Sequence, residues 1–499
     1  MDQNEVQNSE ASGVKNENKD TKKDDVSKKS KTKKLLKRQD KNKDQNKNTD
    51  NSKDKSKENN KDNTKKSADK KEEKKKKKTT IFEAMANDLK EWHDKSKKLG
   101  NFDLPFFLIL IVLLVFGIIM MFSASYAWAI SEGKSGTYYA VLQICFAIGG
   151  LFFMFLLSKI DYHIFQNNFI AWSLFIVCLL MLLVILFKPL GLGVTLNEST
   201  RWIKFGPLQF QPSEVTKFSM IILFAVMITH NYKKMNTFKT GVLPFIVILA
   251  VVALLLMKEP HLSATILIAL VSFIMIYIGG AKLRDLFLTG LTGAAGLAGL
   301  VWYKINIKGT TYFLNRFDSW LNPFSGKPYA WQTKQSLIAI GSGGFFGMGL
   351  GNSRQKFQYL PETKNDFVFA IVCEELGFIG ALTVIVLFAF LIFRGFYIAS
   401  KAPDKFGMLV CIGLTSQVGL QAFLNIAVVS NFIPNTGISL PFFSYGGTSL
   451  MMILAQMGII LNISRHAVET EEEDNDSSEE NGYKDKRNKI KYSQKGEDI

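Results

Sequence analysis

Long runs of nearly uncharged residues recur between about Phe102 and Asn462 and constrain this chain more than any other feature. Each run has roughly 18 or more residues, enough for a helix to cross a hydrocarbon layer of ~30 Å. We therefore expect an all-α integral membrane protein and exclude a soluble enzyme, a secreted disulfide scaffold and a nucleic-acid-binding domain. The ten predicted spans are 104–123, 139–157, 169–187, 213–230, 241–257, 262–280, 286–303, 367–393, 407–430 and 438–463.

The two ends of the chain have a different composition. Residues 1–78 contain 27 Lys and Arg against 16 Asp and Glu, with almost no large apolar side chain, so 1–80 is predicted to be a disordered cytoplasmic tail. Its basic run could bind anionic headgroups, although a solvated tether is the simpler interpretation. Apolar residues at near-helical spacing predict an amphipathic juxtamembrane segment at 81–101. The ten-helix membrane domain then covers 102–465, and 466–499 is a second charged, disordered tail.

Lys and Arg residues near the span ends predict the orientation of the protein. With a cytoplasmic N-terminus, the short cytoplasmic loops carry ten of these residues and the short external loops carry five. Ten spans return the C-terminus to the cytoplasm, so both tails lie on one side. Residues 304–366 then form a single large external loop.

A first charged cluster lies at the predicted outer end of the fourth span. Pro212 suits the first position of a helix, and Glu214 and Lys217 follow three residues apart on one helix face. An ion pair with an outward-reaching lysine is one interpretation. The other is that Arg201 and Lys217 bind a phosphorylated headgroup, since a guanidinium fork suits phosphate oxygens and an ammonium adds a point charge.

A second cluster ends the large loop, where Leu360-Pro-Glu362 leads to Asn365-Asp366 and an apolar run that contains Glu374. Asp366 could simply cap the following helix. Glu374 lies about 12 Å deeper at 1.5 Å per residue, where solvation does not explain a carboxylate. The alternative is that Asp366 is a general base beside an anionic ligand.

Glycines form a third feature, between Gly341 and Gly351 and at Gly446-Gly447. They permit tight turns, close helix packing or backbone contact with phosphate. No Gly-Lys-Ser/Thr follows, so the run is not a P-loop.

With ten spans and these strings in order, residues 102–465 closely resemble the SEDS family (shape, elongation, division and sporulation) of integral-membrane peptidoglycan glycosyltransferases. The string from Gly351 to Glu362 is more similar to the division branch than to the elongation branch, and the sporulation branch is nearly as close. The motifs that carry the resemblance are Arg201-Trp202 with Gln211-Pro-Ser-Glu214, Arg316-Phe-Asp-Ser-Trp-Leu-Asn-Pro323, Gln335-Ser-Leu-Ile-Ala-Ile-Gly341, Gly349-Leu-Gly-Asn-Ser-Arg354, Leu360-Pro-Glu362 with Asn365-Asp366-Phe367, and Leu440-Pro-Phe-Phe-Ser-Tyr-Gly-Gly447.

The resemblance implies an inverting enzyme that polymerises lipid II, an undecaprenyl-pyrophosphate-linked disaccharide pentapeptide, into glycan strands outside the cytoplasmic membrane. The family's proposed catalytic aspartate corresponds to Asp366. Its partners would be a class B penicillin-binding protein, other division proteins and membrane lipids, at the division septum. The expected substrate-binding residues are Arg201, Trp202, Glu214, Lys217, Gln335, Lys356, Glu362, Glu374 and Ser444.

Two positions depart from the family pattern. Where the family often has Pro-Asp-Leu-Gly, this chain has Glu259-Pro260-His261-Leu262-Ser263, which puts a role for that acidic position in doubt. Asn365 replaces a residue that is often Thr or Ser. We assign no cofactor and no metal-binding residue, although a divalent cation could be shared by pyrophosphate and carboxylates.

Two other functions are compatible with the same sequence. Ten spans with a cationic outer cavity would suit a flippase or transporter of a lipid-linked precursor, but the charged clusters lie at the outer face and not at the bilayer midplane. A non-catalytic scaffold of the division complex is the third hypothesis.

Overall fold

The computed structural model describes residues 100–186, 193–196, 199–205, 208–259, 262–306 and 312–467. The predicted tails 1–80 and 466–499 and the segment 81–101 lie outside the described residues, apart from 100–101 and 466–467.

Each of the ten predicted spans contains a helix. Eight of these helices are long and apolar enough to cross a membrane, and α6 is a shorter apolar helix. The chain is a multi-pass membrane protein, as predicted. The ten helices are α1 (Leu104–Ser131), α2 (Tyr138–Leu157), α3 (Asn168–Leu186), α4 (Pro212–Asn231), α5 (Leu243–Lys258), α6 (Leu262–Ile278), α7 (Leu283–Asn306), α10 (Val368–Ser400), α11 (Lys405–Val429) and α12 (Gly447–Ala467).

The connections contain further short elements. Two helices, α8 (Tyr312–Leu321) and α9 (Trp331–Gly343), lie within the predicted external loop. Single turns occur at Tyr162–Gln166, Tyr232–Lys234 and Pro328–Ala330 (3₁₀) and at Phe238–Val242 (π).

A small antiparallel sheet joins α3 to α4 and was not predicted. Its strands are β1 (Gly193–Leu196), β2 (Ser199–Phe205) and β3 (Leu208–Phe210), in the order β1-β2-β3. β-Branched and aromatic residues, with Gly206-Pro207 between β2 and β3, are the sequence signal that was available.

Two helices form the centre of the bundle. The most apolar windows of α4 and α11 are 83% and 78% buried, whereas those of α1, α2, α3, α5 and α10 are 28–39% buried. Helix α11 packs against α4, α6 and α10. Polar side chains on α4 and α11 therefore lie inside protein, where they need partners.

Helix α10 is broken at Gly377. This residue has φ 64° and ψ −159°, and a Cβ there would lie 2.3 Å from the Gly347 nitrogen. Carbonyls freed by the break accept hydrogen bonds from the loop after α9: Met348 N donates to Glu374 O at 2.9 Å and Gly349 N to Glu375 O at 3.0 Å. Gly347 therefore serves close packing, one of the three roles expected of the glycine run.

The last predicted span begins too early in the sequence. Helix α12 starts at Gly447, not at 438, because Pro441 and the positive φ of Gly437 (72°) and Phe442 (67°) interrupt a helix. The non-helical residues before Gly447 instead line the loop that carries Asp366.

Candidate functional site

Asp366 lies in a turn immediately before α10 and is partly exposed. The N-cap of α10 is Phe367, whose own side chain makes no cap hydrogen bond. Asp366 therefore lies one residue before the N-cap position, and both the capping and the general-base interpretations of its carboxylate stay predictions.

The backbone of the Asp366 loop is fixed from two sides. Residues 444–445 and helix α11 donate the bonds, so the loop is held to the bundle at Asp366 and at the two residues before it. The bonds are Ser444 Oγ to Asn365 O at 2.5 Å, Tyr445 N to Lys364 O at 2.7 Å and Asn425 Nδ2 to Asp366 O at 2.7 Å.

The Asp366 carboxylate faces a glycine. A Cβ built on Gly437 would lie 3.2 Å from Asp366 Oδ2, and Gly437 has φ 72°. Asn425 Nδ2 also donates to Ile438 O at 2.6 Å, which fixes the chain next to Gly437. A side chain at residue 437 would therefore press on the Asp366 carboxylate and would also strain the backbone.

Lys217 lies in the same polar region of the bundle. Its Nζ is 2.9 Å from Glu214 Oε2, without hydrogen-bond geometry, and donates to Gln421 Oε1 at 3.0 Å. Gln421 Nε2 in turn donates to Ser439 O at 3.1 Å. Gln421 and Asn425 are one turn of α11 apart, about 6 Å along its axis, so α11 connects Lys217 with the Asp366 loop.

Arg201 and Trp202 lie on β2. Val194 pairs with Trp202 and Thr195 with Thr200, which makes Arg201 the extra residue of a β-bulge; its side chain is outside the described part of the structure. Trp202 is half-buried. Strand β2, which carries Arg201 and Trp202, contacts α3 and α4. This position beside α4, the helix of Lys217, is compatible with the substrate-binding role predicted for Arg201 and Trp202.

Glu374 accepts hydrogen bonds from a neighbouring loop. Its Oε1 accepts from Arg354 N at 3.0 Å and Gln355 N at 3.4 Å, and its Oε2 accepts from the Ser353 hydroxyl. The side chain is 1% exposed. These bonds favour a structural role, and contact of Glu374 with substrate stays a prediction.

Glu375, which the sequence interpretation left unassigned, is fully buried beside Lys356. Lys356 Nζ lies 3.0 Å from Glu375 Oε1 and donates to Gly351 O at 2.5 Å. Ser123 Oγ donates to the same carboxylate at 2.6 Å, which joins α1 to α10. Lys356 is 3% exposed, so this pair compensates its charge inside the protein.

Glu362 and Ser444 belong to or contact the same loop, and Gln335 is buried on a neighbouring helix. Glu362 has φ 56° and accepts from Asn365 Nδ2 at 2.6 Å, and Gln335 is buried on α9. Ser444 Oγ accepts from Leu440 N at 2.8 Å, so it supports the loop backbone.

An ion pair borders the Asp366 loop. Lys364 Nζ lies 3.3 Å from Glu132 Oε1, over the rings of Tyr139 (4.0 Å to the centroid) and Trp128 (4.9 Å). Burial lowers the pKa of Lys364. Burial raises the pKa of Glu132, but hydrogen bonds from Lys134 and Tyr139 outweigh it and lower that pKa to about 2.

Sequence reasoning missed the polar face of α11. Gln417, Gln421 and Asn425 are spaced four residues apart and are each at most 2% exposed. Polar side chains at this spacing in an apolar helix share one face, which was the available signal.

Comparisons with known proteins agree with this architecture. The FtsW/RodA/SpoVE family model, described as a cell cycle protein, matches residues 104–469. The chain is 39% identical over 368 residues to stage V sporulation protein E of Bacillus subtilis, covering 73% of this chain and 97% of that protein. It is 36% identical over 369 residues to the probable peptidoglycan glycosyltransferase FtsW of Geobacter sulfurreducens, covering 74% and 96%.

Two solved structures share the fold. One comes from a study of polymerization and crosslinking by a peptidoglycan synthase complex, with a TM-score of 0.60 and 24% identity, covering 73% of this chain and 98% of that one. The other is the rod shape determining protein RodA of Thermus thermophilus, with a TM-score of 0.53 and 24% identity, covering 73% and 97%. The family model and the sequence relatives cover nearly the whole membrane domain, and the chain therefore belongs to the FtsW/RodA/SpoVE family, as its resemblance to the SEDS proteins indicated.

Proposed function

We propose that this protein is a peptidoglycan glycosyltransferase that polymerises lipid II at the outer face of the cytoplasmic membrane. The family membership and the names of the FtsW relatives support the reaction class. The observation that carries the site assignment is the partly exposed Asp366 on a loop fixed by Asn425 and Ser444.

Asp366 is the proposed general base. Its carboxylate accepts the proton of the acceptor sugar's 4-hydroxyl as that oxygen attacks the anomeric carbon of the donor. The bond from this carbon to the pyrophosphate oxygen breaks, and undecaprenyl pyrophosphate leaves with the electron pair. Displacement from the opposite face inverts the anomeric carbon and gives a β-linked strand.

The departing pyrophosphate needs compensating positive charge. We assign this role to Arg201 and Lys217, because Lys217 connects through Gln421 to the elements that hold Asp366. Glu214 Oε2 lies 2.9 Å from the Lys217 Nζ and compensates part of its charge inside the bundle. Lys356 is already paired with Glu375, which supports a structural role for it.

The proposed setting follows the family. Both termini are cytoplasmic, a class B penicillin-binding protein is the transpeptidase partner, and synthesis occurs at the division septum. The relatives named FtsW and stage V sporulation protein E are compatible with either branch.

Polymerisation of lipid II by the purified protein with its transpeptidase partner tests the proposal. Asp366→Asn is nearly isosteric but cannot accept the proton, so we expect a rate at least ~100-fold below wild type. Equal rates would contradict the base assignment. Transfer of labelled lipid II across liposomes without polymer would favour a flippase, and division supported by Asp366→Asn at normal expression would favour a scaffold.

A further inference from the structure

A compact group of metal-ligand side chains lies at the opposite end of the bundle from Asp366. One ligand atom each of Asp161, His163 and His466 lies within 4.8 Å of the others. Asp161 and His163 follow α2, and His466 is in the last turn of α12. Three hundred residues of sequence separate the two histidines, so the fold and not local sequence brings them together.

Each histidine has an acceptor oxygen near the ring nitrogen on the outer side of the cluster. His163 Nε2 lies 3.2 Å from Asp404 Oδ2, and His466 Nδ1 lies 3.0 Å from Asn462 O. If these nitrogens carry the protons, the inner nitrogens, His163 Nδ1 and His466 Nε2, have lone pairs. The inner nitrogens lie 2.6 Å and 3.9 Å from the same oxygen, Asp161 Oδ1.

This pattern is typical of metal-binding histidines, whose second nitrogen is usually fixed by a carboxylate or a backbone carbonyl. The scaffold around the cluster is also fixed. Asn462 Oδ1 accepts from Tyr162 N at 3.0 Å, and Asn462 Nδ2 donates to Ser158 O at 3.0 Å, so one residue of α12 holds the segment that carries Asp161 and His163.

We propose that Asp161, His163 and His466 form a zinc site that joins the ends of α2 and α12, with Asp404 at the start of α11 orienting His163. Two imidazoles and one carboxylate suit Zn²⁺ better than Mg²⁺ or Ca²⁺, which prefer oxygen ligands. The His163 and Asp161 side chains are 42% and 35% exposed, so an ion can enter from solvent and water can complete the tetrahedron.

Zinc binding to the full-length protein in detergent, purified without a histidine tag, tests this proposal. After chelation, reloading and removal of free metal, we expect about one Zn²⁺ per wild-type chain. Co²⁺ should give the visible absorption of a tetrahedral site with nitrogen ligands. The site should also raise the thermal unfolding midpoint when Zn²⁺ is present.

Variants locate the ion. His163→Ala and His466→Ala should each abolish stoichiometric binding, and Asp404→Asn, which can still cap α11, should weaken it by about 10- to 100-fold. His230→Ala is the matched control, because His230 lies at the same end of the bundle but contacts Asn168. Its zinc binding should equal that of wild type.

Two results would overturn the proposal. If folded wild-type protein retains no Zn²⁺ and gives no Co²⁺ spectrum, the cluster is an ion-paired imidazole between two carboxylates. If His163→Ala and His466→Ala bind as much Zn²⁺ as wild type, the metal lies elsewhere.

Discussion

Asp366 and the pair Glu374-Glu375 lie within ten residues of one another, yet their surroundings differ. Glu374 and Glu375 are at most 1% exposed and accept hydrogen bonds from Ser353, Arg354 and Ser123, whereas Asp366 is partly exposed beside Gly437. A carboxylate buried inside the protein among backbone and hydroxyl donors stabilises structure, whereas a partly exposed carboxylate can be reached by an acceptor hydroxyl. The comparison separates two roles that sequence position alone does not.

The largest expected effect on stability is that of Glu375→Ala. It leaves the Lys356 ammonium buried without its partner, which costs about 3–5 kcal/mol of unfolding free energy. Denaturant unfolding in detergent measures this loss. Lys356→Met in the Glu375→Ala background should recover part of it, and a double variant less stable than Glu375→Ala would contradict the pairing.

Glu374→Ala should have the next largest effect. Removing the acceptor of the Arg354 and Gln355 N–H groups costs about 1–3 kcal/mol, and Glu374→Gln, which keeps one acceptor oxygen, should cost less. Amide exchange at residues 353–355 should accelerate in both variants. Unchanged exchange in Glu374→Ala would show that this carboxylate does not hold the loop.

Gly437→Ala tests the Asp366 side of the comparison. The positive φ costs about 1–2 kcal/mol of unfolding free energy, and the methyl group lies 3.2 Å from Asp366 Oδ2, so the polymerisation rate should also fall. Gly326→Ala is the matched control, since Gly326 has φ 74° and open space around it. Gly326→Ala should lose a similar unfolding free energy but keep the wild-type polymerisation rate. If Gly437→Ala polymerises lipid II as fast as Gly326→Ala, the close approach of residue 437 to the Asp366 carboxylate is contradicted.

The smallest effect is expected at the Lys364–Glu132 ion pair beside the loop, whose carboxylate is partly exposed. Glu132→Gln should cost less than ~1 kcal/mol, because solvent screens this partly exposed carboxylate. The folded-state pKa of Glu132 is lowered from 4.5 to about 2. The ionised carboxylate therefore makes its full contribution to the unfolding free energy above pH 4.5, and this contribution is lost as the pH falls toward 2. Unfolding midpoints of wild type and variant should converge over that interval; convergence above pH 6 would contradict the assignment.

The spans were predictable because hydropathy and length report membrane crossing directly. Asp366 and Lys217 were predictable as charges at span ends. The break at Gly377 was not, since it depends on a contact with Gly347 that only the folded chain creates. The Lys356–Glu375 pair likewise joins residues whose proximity is set by the docking of the α9–α10 loop.

The sheet and the start of α12 were missed for different reasons. The strands β1 to β3 are short and lie between two long apolar runs, where hydropathy dominates the interpretation. The early start of the last span arose because residues 438–443 are mostly apolar, although Pro441 and Phe442 do not continue a helix.

The most direct measurement of the central claim is the lipid II polymerisation rate, per folded molecule, of Asp366→Asn and Glu374→Gln side by side with the partner protein. We predict a loss of at least ~100-fold for Asp366→Asn and near wild-type activity for the folded fraction of Glu374→Gln. Loss of activity in Glu374→Gln with an active Asp366→Asn would contradict the account and assign the base to Glu374.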